Sequence, residues 1–211
     1  NRKGRIYQMF LGIDRIEKNK MAAIDDKGQQ ITYGELAACP AQLCDVIPSR
    51  SVVFLMCTNT VGCLVAYISM IENGIVPVTL SGSMDTELFD VLYNIYRPQY
   101  ICVQAEQAEK YGFNSIYEER GFVYLATKQP LYPIHNKLQL LMTTSGSTGS
   151  PKLVRYKNGN LEANAKNVAK AWKWTSEERP ICDLAMNYTM GLNVINTHLY
   201  VGATLLLVTH N

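Results

Sequence analysis

The sequence has little that would mark a metal centre or a disulfide framework. Its three histidines (His135, His198 and His210) are far apart, and the six cysteines (Cys39, Cys44, Cys57, Cys63, Cys102 and Cys182) contain no C-x-x-C pair and no zinc-like spacing. Most of those cysteines sit inside apolar runs, where a free thiol behaves as a small hydrophobe. They read as reduced, which points to the cytoplasm. No excess of one charge is present: 20 Lys and Arg against 18 Asp and Glu leave +2. That balance gives no footprint for nucleic acid or an anionic membrane, and neither is expected as a partner. Repeats, low-complexity stretches and a cleavable leader are not found. At 47% hydrophobic and 18% charged, the 211 residues read as a folded chain of one large domain or a domain and a half.

One long uncharged run, 51–71, could suggest a membrane span. Thr58-Asn59-Thr60 interrupts its centre, however, and its halves differ. The first, Val52 to Cys57, is β-rich, and the second, Val61 to Ile71, has helical spacing. A strand, an Asn-capped turn and a buried helix are expected there. Around it the chain alternates. Ala22-Ala23-Ile24 and Gln29-Gln30-Ile31 flank Asp25-Asp26-Lys27-Gly28, which predicts a hairpin. Thr32 and Glu35 have capping-box spacing, with Pro40 set to shorten the helix that follows. Strands are expected at 75–80, 100–103, 140–142, 181–186 and 204–208, and helices at 7–17, 86–96, 104–111 and 192–200. A further helix is expected to start at Asn160, with Leu161, Ala165, Val168 and Trp172 inward and Glu162 paired with Lys166 outside. Continuous apolar strands between helices predict a layered α/β/α fold with a mostly parallel sheet.

The most informative stretch is Thr143-Thr144-Ser145-Gly146-Ser147-Thr148-Gly149-Ser150-Pro151-Lys152. An apolar run opens into a loop of hydroxyls and glycines that closes on Pro151 and one lysine. Gly146 and Gly149 let backbone N–H groups approach a ligand, and successive N–H groups in such a turn form an anion site. Thr144, Ser145, Ser147 and Thr148 add hydroxyl donors, and Lys152 adds a charge suited to phosphate. The Walker pattern is excluded, because Lys152 comes three residues after Gly149 and behind a proline. G-x-G-x-x-G is absent from the chain.

The segment Thr144 to Lys152 resembles the phosphate-binding signature of the adenylate-forming superfamily, which includes acyl-CoA synthetases, luciferases and peptide-synthetase adenylation domains. Three other places are similar in the same order: Ile31-Thr32-Tyr33-Gly34-Glu35-Leu36, the stretch ending Gly74-Ile75-Val76-Pro77-Val78, and Asn187-Tyr188-Thr189-Met190-Gly191-Leu192 with Leu199 to Ala203. The resemblance implies the N-terminal part of the acyl-CoA synthetase-like adenylating fold. It also implies a two-step reaction, in which ATP and a carboxylic acid give an acyl-adenylate, and coenzyme A or a phosphopantetheinyl carrier protein then takes the acyl group. By resemblance, the loop and Lys152 hold ATP with Mg²⁺, Lys152 is the catalytic cation, and Asn187, Tyr188 and Gly191 border the acid. Two positions depart from the pattern: Leu153 stands where many relatives have glycine, and Tyr188 where many have histidine. Tyr188 reads equally as a partly buried aromatic with a satisfied hydroxyl.

No Y-G-x-T-E-like motif and no C-terminal catalytic lysine are found. The expectation is therefore a fragment, 1–211, that folds without catalysing adenylation, with a division into 1–136 and 137–211 left open. The alternatives are a natural truncated module that binds nucleotide or acyl groups without chemistry, and an unrelated nucleotide-binding α/β domain.

Overall fold

The computed structural model describes residues 8–143 and 152–209. A buried carboxylate organises the first elements. Strand β1 (Met21–Asp25) turns into β2 (Gln30–Thr32) as the expected hairpin, and Gly28 supplies the positive φ that the turn needs. Asp25, only 5% exposed, accepts N–H bonds from Lys27 and Gln29 at Oδ1, which closes that turn. Its Oδ2 accepts from the N–H of Val61 at 2.9 Å, the first residue of a distant helix. The capping box forms as expected: Thr32 accepts from the N–H of Glu35, and Glu35 accepts from the N–H of Thr32. It starts α1 (Tyr33–Ala38), and Pro40 begins the separate short α2 (Pro40–Leu43).

The uncharged run folds as β3 (Val52–Cys57), a turn, and α3 (Val61–Glu72). Thr60, not Asn59, caps α3, accepting from the N–H of Cys63 at 3.3 Å. No helix among the described residues is long and apolar enough to cross a membrane. Instead α3 is buried along nearly its whole length. It packs so closely on the sheet that a Cβ on Gly62 would lie 2.4 Å from the carbonyl oxygen of Arg120. The chain then alternates through β4 (Val76–Ser81), α4 (Thr86–Tyr96) and β5 (Tyr100–Gln104), with Asp85 capping α4.

Next come β6 (Asn114–Glu119), β7 (Phe122–Ala126), β8 (Leu138–Thr143) and β9 (Leu153–Lys157), then α5 (Asn160–Trp172), β10 (Ile181–Cys182), α6 (Thr189–Val201) and β11 (Leu205–Leu207). Seven strands form one sheet in the order β6-β7-β5-β3-β4-β8-β9. Its four central strands are parallel, and the outer three, β6, β7 and β9, are joined on by antiparallel pairing. The expected α/β class with a mostly parallel sheet is what the structure shows. Side chains of β3 alternate between two cores: Val53, Leu55 and Cys57 face the side of α3, and Val52, Phe54 and Met56 face Leu92 of α4. A second sheet, β10-β11-β1-β2, joins the N-terminal hairpin to the last strands, with β1 parallel to β11. Both sheets take strands from either side of residue 136.

Several expectations are corrected. Of the helix expected over 7–17, residues 8–17 are described and are not an amphipathic helix: Phe10–Arg15 is a 3-10 segment broken by positive φ at Leu11 and Gly12. The break lets Phe10, Leu11 and Ile13 all enter the core, with Phe10 edge-on to Tyr67 at 6.0 Å. The 104–111 helix is likewise a 3-10 segment, Ala105–Tyr111. Strand β6 had no sequence signal because its side chains are mostly exposed and polar. The strand expected over 181–186 stops at Cys182. Asn59 holds the backbone that follows, donating from Nδ2 to the carbonyls of Cys182 and Leu184 and accepting from the N–H of Met186. On α5, Leu161, Ala165 and Ala169 face in, while Trp172 is 69% exposed. It stacks on Trp174 rather than on the core. Glu162 does not pair with Lys166; it turns inward, and burial pushes its carboxyl above the ordinary carboxylate range.

Asp25→Ala strips acceptors from three backbone N–H groups, so it is expected to lower unfolding stability by about 3 kcal/mol, read as a shifted urea midpoint. A midpoint unchanged within error would show that Asp25 does not hold the hairpin to α3.

Candidate functional site

The stretch read from sequence as a phosphate loop lies between two paired strands, β8 and β9. Residues Thr144 to Pro151, and with them Thr144, Ser145, Gly146, Ser147, Thr148 and Gly149, lie outside the described residues. Their flanks are described. Thr143 at the end of β8 pairs with Leu153 at the start of β9, and Met142 pairs with Val154. Strand β8 lies parallel to β4, in the register Val78↔Leu141 and Thr79↔Met142. The loop therefore leaves the carboxyl edge of the parallel core, the edge at which open α/β sheets bind ligands. The N-termini of α3 and α4 open at the same edge, after Cys57 and Ser81, and an N–H bond from Gly82 to the carbonyl of Cys57 ties those strand ends together. Lys152 stands exposed at the foot of β9.

The second set of expected residues is brought beside this hairpin. Thr189, the first residue of α6, donates from Oγ1 to Sδ of Met142 at 3.5 Å. Its hydroxyl also lies 3.4 Å from the Tyr156 hydroxyl of β9. The start of α6 thus sits against the strand pair that carries the loop, although the two are far apart in sequence. Asn187 is buried. Tyr188 precedes α6 in an extended conformation and is 47% exposed. Gly191 has a packing reason to be glycine: a Cβ there would lie 2.3 Å from the carbonyl oxygen of Ala185 and 2.6 Å from that of Leu184. The segment that Asn59 holds in place is therefore the one α6 leans on.

Between β9, α5 and α6 lies a cleft of about 360 Å³. Met142 and Thr189 line the end next to the loop, and Arg155, Asn164, Asn193 and Asn196 line the rest. Asn196 is 2% exposed, and its Oδ1 accepts the Tyr67 hydroxyl at 3.1 Å. Burial pushes the Tyr67 phenol far up, so it stays protonated and able to donate. Arg155 and these asparagines were not among the residues expected from sequence. The signal was present, because Thr189, Asn193 and Asn196 stand at i, i+4 and i+7 and make one polar stripe along the helix. Asn160 and Asn164 repeat the i, i+4 spacing on α5.

The far half of α6 is fixed by His198, whose Nδ1 lies 2.8 Å from the carbonyl of Val194 and whose ring stacks on Trp174 at 4.2 Å. Among the described residues, no group of three or more His, Cys, Asp or Glu could hold a metal ion.

A family model of AMP-binding enzymes matches residues 15–211. The chain belongs to the AMP-binding enzyme family. Among solved structures it resembles ATP-bound MatB from Rhodopseudomonas palustris (20% identity, TM-score 0.76, 95% of this chain and 45% of that one). It also resembles the O-succinylbenzoate coenzyme A synthetase MenE from Bacillus subtilis in complex with ATP and magnesium (18%, 0.74, 95% and 57%). A third is VinN (17%, 0.74, 97% and 57%). At these identities the likeness is one of fold, and the chain spans about half the length of those proteins. No curated protein sequence matches it.

Two outcomes test this packing. Gly191→Ala is expected to cost about 2 kcal/mol or more, because the 184–185 backbone must move; an undisturbed melting temperature would contradict the close approach. Burial holds the His198 imidazole below its ordinary value, so the unfolded chain binds the proton more readily. The stability this gives is complete above pH about 6.5 and is lost as the pH falls through the lower folded value. His198→Phe should flatten the slope of stability against pH below about 6.5, and an unaltered slope would exclude His198 as its source.

Proposed function

We propose that this chain is the phosphate-binding portion of an ATP-dependent ligase. That ligase activates a carboxylic acid as an acyl-adenylate and passes the acyl group to a thiol, coenzyme A or a phosphopantetheinyl carrier protein. The observation that carries the reading is the Thr144–Lys152 signature borne on the β8–β9 hairpin, at the carboxyl edge of the parallel core and beside the start of α6. Nucleotidyl transfer asks mainly for positioning and charge neutralisation, and backbone N–H groups, four hydroxyls and a lysine are a donor set fitted to phosphates. In this reading Thr144, Ser145, Gly146, Ser147, Thr148 and Gly149 hold the β- and γ-phosphates of ATP, and Lys152 neutralises charge there. Asn187 and Tyr188 border the acid, and Gly191 lets α6 approach closely enough to form that border. Mg²⁺ fits a site built largely on the phosphates, since such ions keep several waters and few carboxylates; when bound it neutralises phosphate charge. The acid's carboxylate oxygen attacks the α-phosphorus and pyrophosphate leaves.

The test is ATP–pyrophosphate exchange by the protein that carries this chain. Lys152→Ala is expected to reduce exchange by about a hundredfold or more while the melting temperature stays in place, and unchanged exchange would remove Lys152 from the reaction. The second reading, a module that binds nucleotide without chemistry, predicts ATP binding weakened by the same substitution and no exchange with any acid.

A further inference from the structure

The cleft between β9, α5 and α6 has a lopsided hydrogen-bonding inventory. Three of its four asparagines already have their side-chain oxygens engaged. Asn160 Oδ1 accepts from the N–H of Lys157 at 3.0 Å. Asn193 Oδ1 accepts from Asn164 Nδ2 and, at 3.3 Å, from the hydroxyl of Thr197. Asn196 Oδ1 accepts from Tyr67. These bonds turn the amide nitrogens of Asn160, Asn193 and Asn196 into the groups left over for the cleft they line, and each is a donor. Arg155 adds a guanidinium, which only donates. Among the described residues it is the one charged side chain of the lining, and no described Asp or Glu lines the cleft to oppose it. Asn164 Oδ1 and the Tyr156 and Thr189 hydroxyls remain as acceptors, but the only formal charge the described lining offers is positive, with three amide donors beside it.

We propose that this cleft receives the distal end of the acid and that this end is a second carboxylate, so the substrate class is a short dicarboxylic acid. The assignment rests on the adenylation chemistry proposed above. A carboxylate accepts charge-assisted bonds from Arg155 and from the asparagine amides at once. An alkyl chain would strand buried Asn196 Nδ2 without a partner, and sites built to hydrogen-bond a substrate strongly reject analogues that lack the group. Length is limited too. Asn196 lies seven residues beyond Thr189 along α6, about 10 Å of helix axis. The reacting carboxylate belongs at the Met142 and Thr189 end, next to the loop, and the second carboxylate at the Asn196 end. A volume of about 360 Å³ is near the small end for ligand pockets.

Two measurements separate this assignment from the adenylation reading. In the ¹⁵N-labelled chain, succinate should shift the side-chain amide resonances of Asn193 and Asn196, and butyrate, its monocarboxylate match, should not. In the protein that carries the chain, ATP–pyrophosphate exchange with succinate should exceed that with butyrate by about a hundredfold. Arg155→Met, on an exposed strand position, and Asn196→Leu should each raise the KM for succinate tenfold or more while the KM for ATP stays unchanged; a structural lesion would move both. Exchange that prefers butyrate, with asparagine resonances unmoved by succinate, overturns the cleft assignment and leaves adenylation standing. Resonances shifted by succinate without exchange on any acid support the acid site and overturn adenylation. Neither response would overturn both.

Discussion

The carboxylate of Asp25 is the interaction on which the rest of this architecture depends. It is a buried acceptor that satisfies three backbone N–H groups, two in the β1–β2 turn and one at the first residue of α3. A helix start presents unpaired N–H groups and a partial positive charge, so a carboxylate is well matched there and costly to replace. Because α3 is apolar on every side, it has no solvent face to orient it. Its position is set at its ends, by Asp25 and Thr60 at the start and by Asn73 and Gly74 at the finish. Asn73 Nδ2 donates to the carbonyls of Ser69 and Pro40, which ties the finish of α3 to α2.

From that anchored helix the candidate site follows by contact. Asn59 sits in the turn between β3 and α3 and gathers the 182–186 backbone with three hydrogen bonds. That backbone is the surface against which Gly191 lets α6 pack. Tyr67, from the middle of α3, orients Asn196 from the far side. The amide-lined cleft and the loop-bearing hairpin are therefore held in register by the same buried helix. The Asp25 carboxylate, the Asn59 amide and the Tyr67 hydroxyl each have protein partners, as burial requires.

Much of this was legible beforehand. The β1–β2 turn, the Thr32 capping box, the break at Pro40 and the strand–helix alternation from 52 to 103 rest on local chemistry, and they appear within a residue or two of where they were expected. The failures share a cause. At Phe10–Arg15 tertiary burial of Phe10, Leu11 and Ile13 overrides a helical period. At 183–186 a side chain from another part of the chain takes the hydrogen bonds a strand would have used. Trp172 follows the helical period but extends past the surface its helix covers, so it remains in solvent.

The sequence alone determined the alternation of elements and the burial of the uncharged run, and it carries the stretch that resembles the family signature, because each is written in neighbouring residues or short periods. Only the tertiary structure decided that β1 pairs with β11, that α6 begins beside the β8–β9 hairpin, and that Arg155 shares a cleft with asparagines from two helices. Those juxtapositions join residues far apart along the chain, and hydrophobic packing around α3 selects among them. Which hydrogen bonds remain unfilled in the cleft is settled by that packing, since it fixes which asparagine oxygens already have a partner.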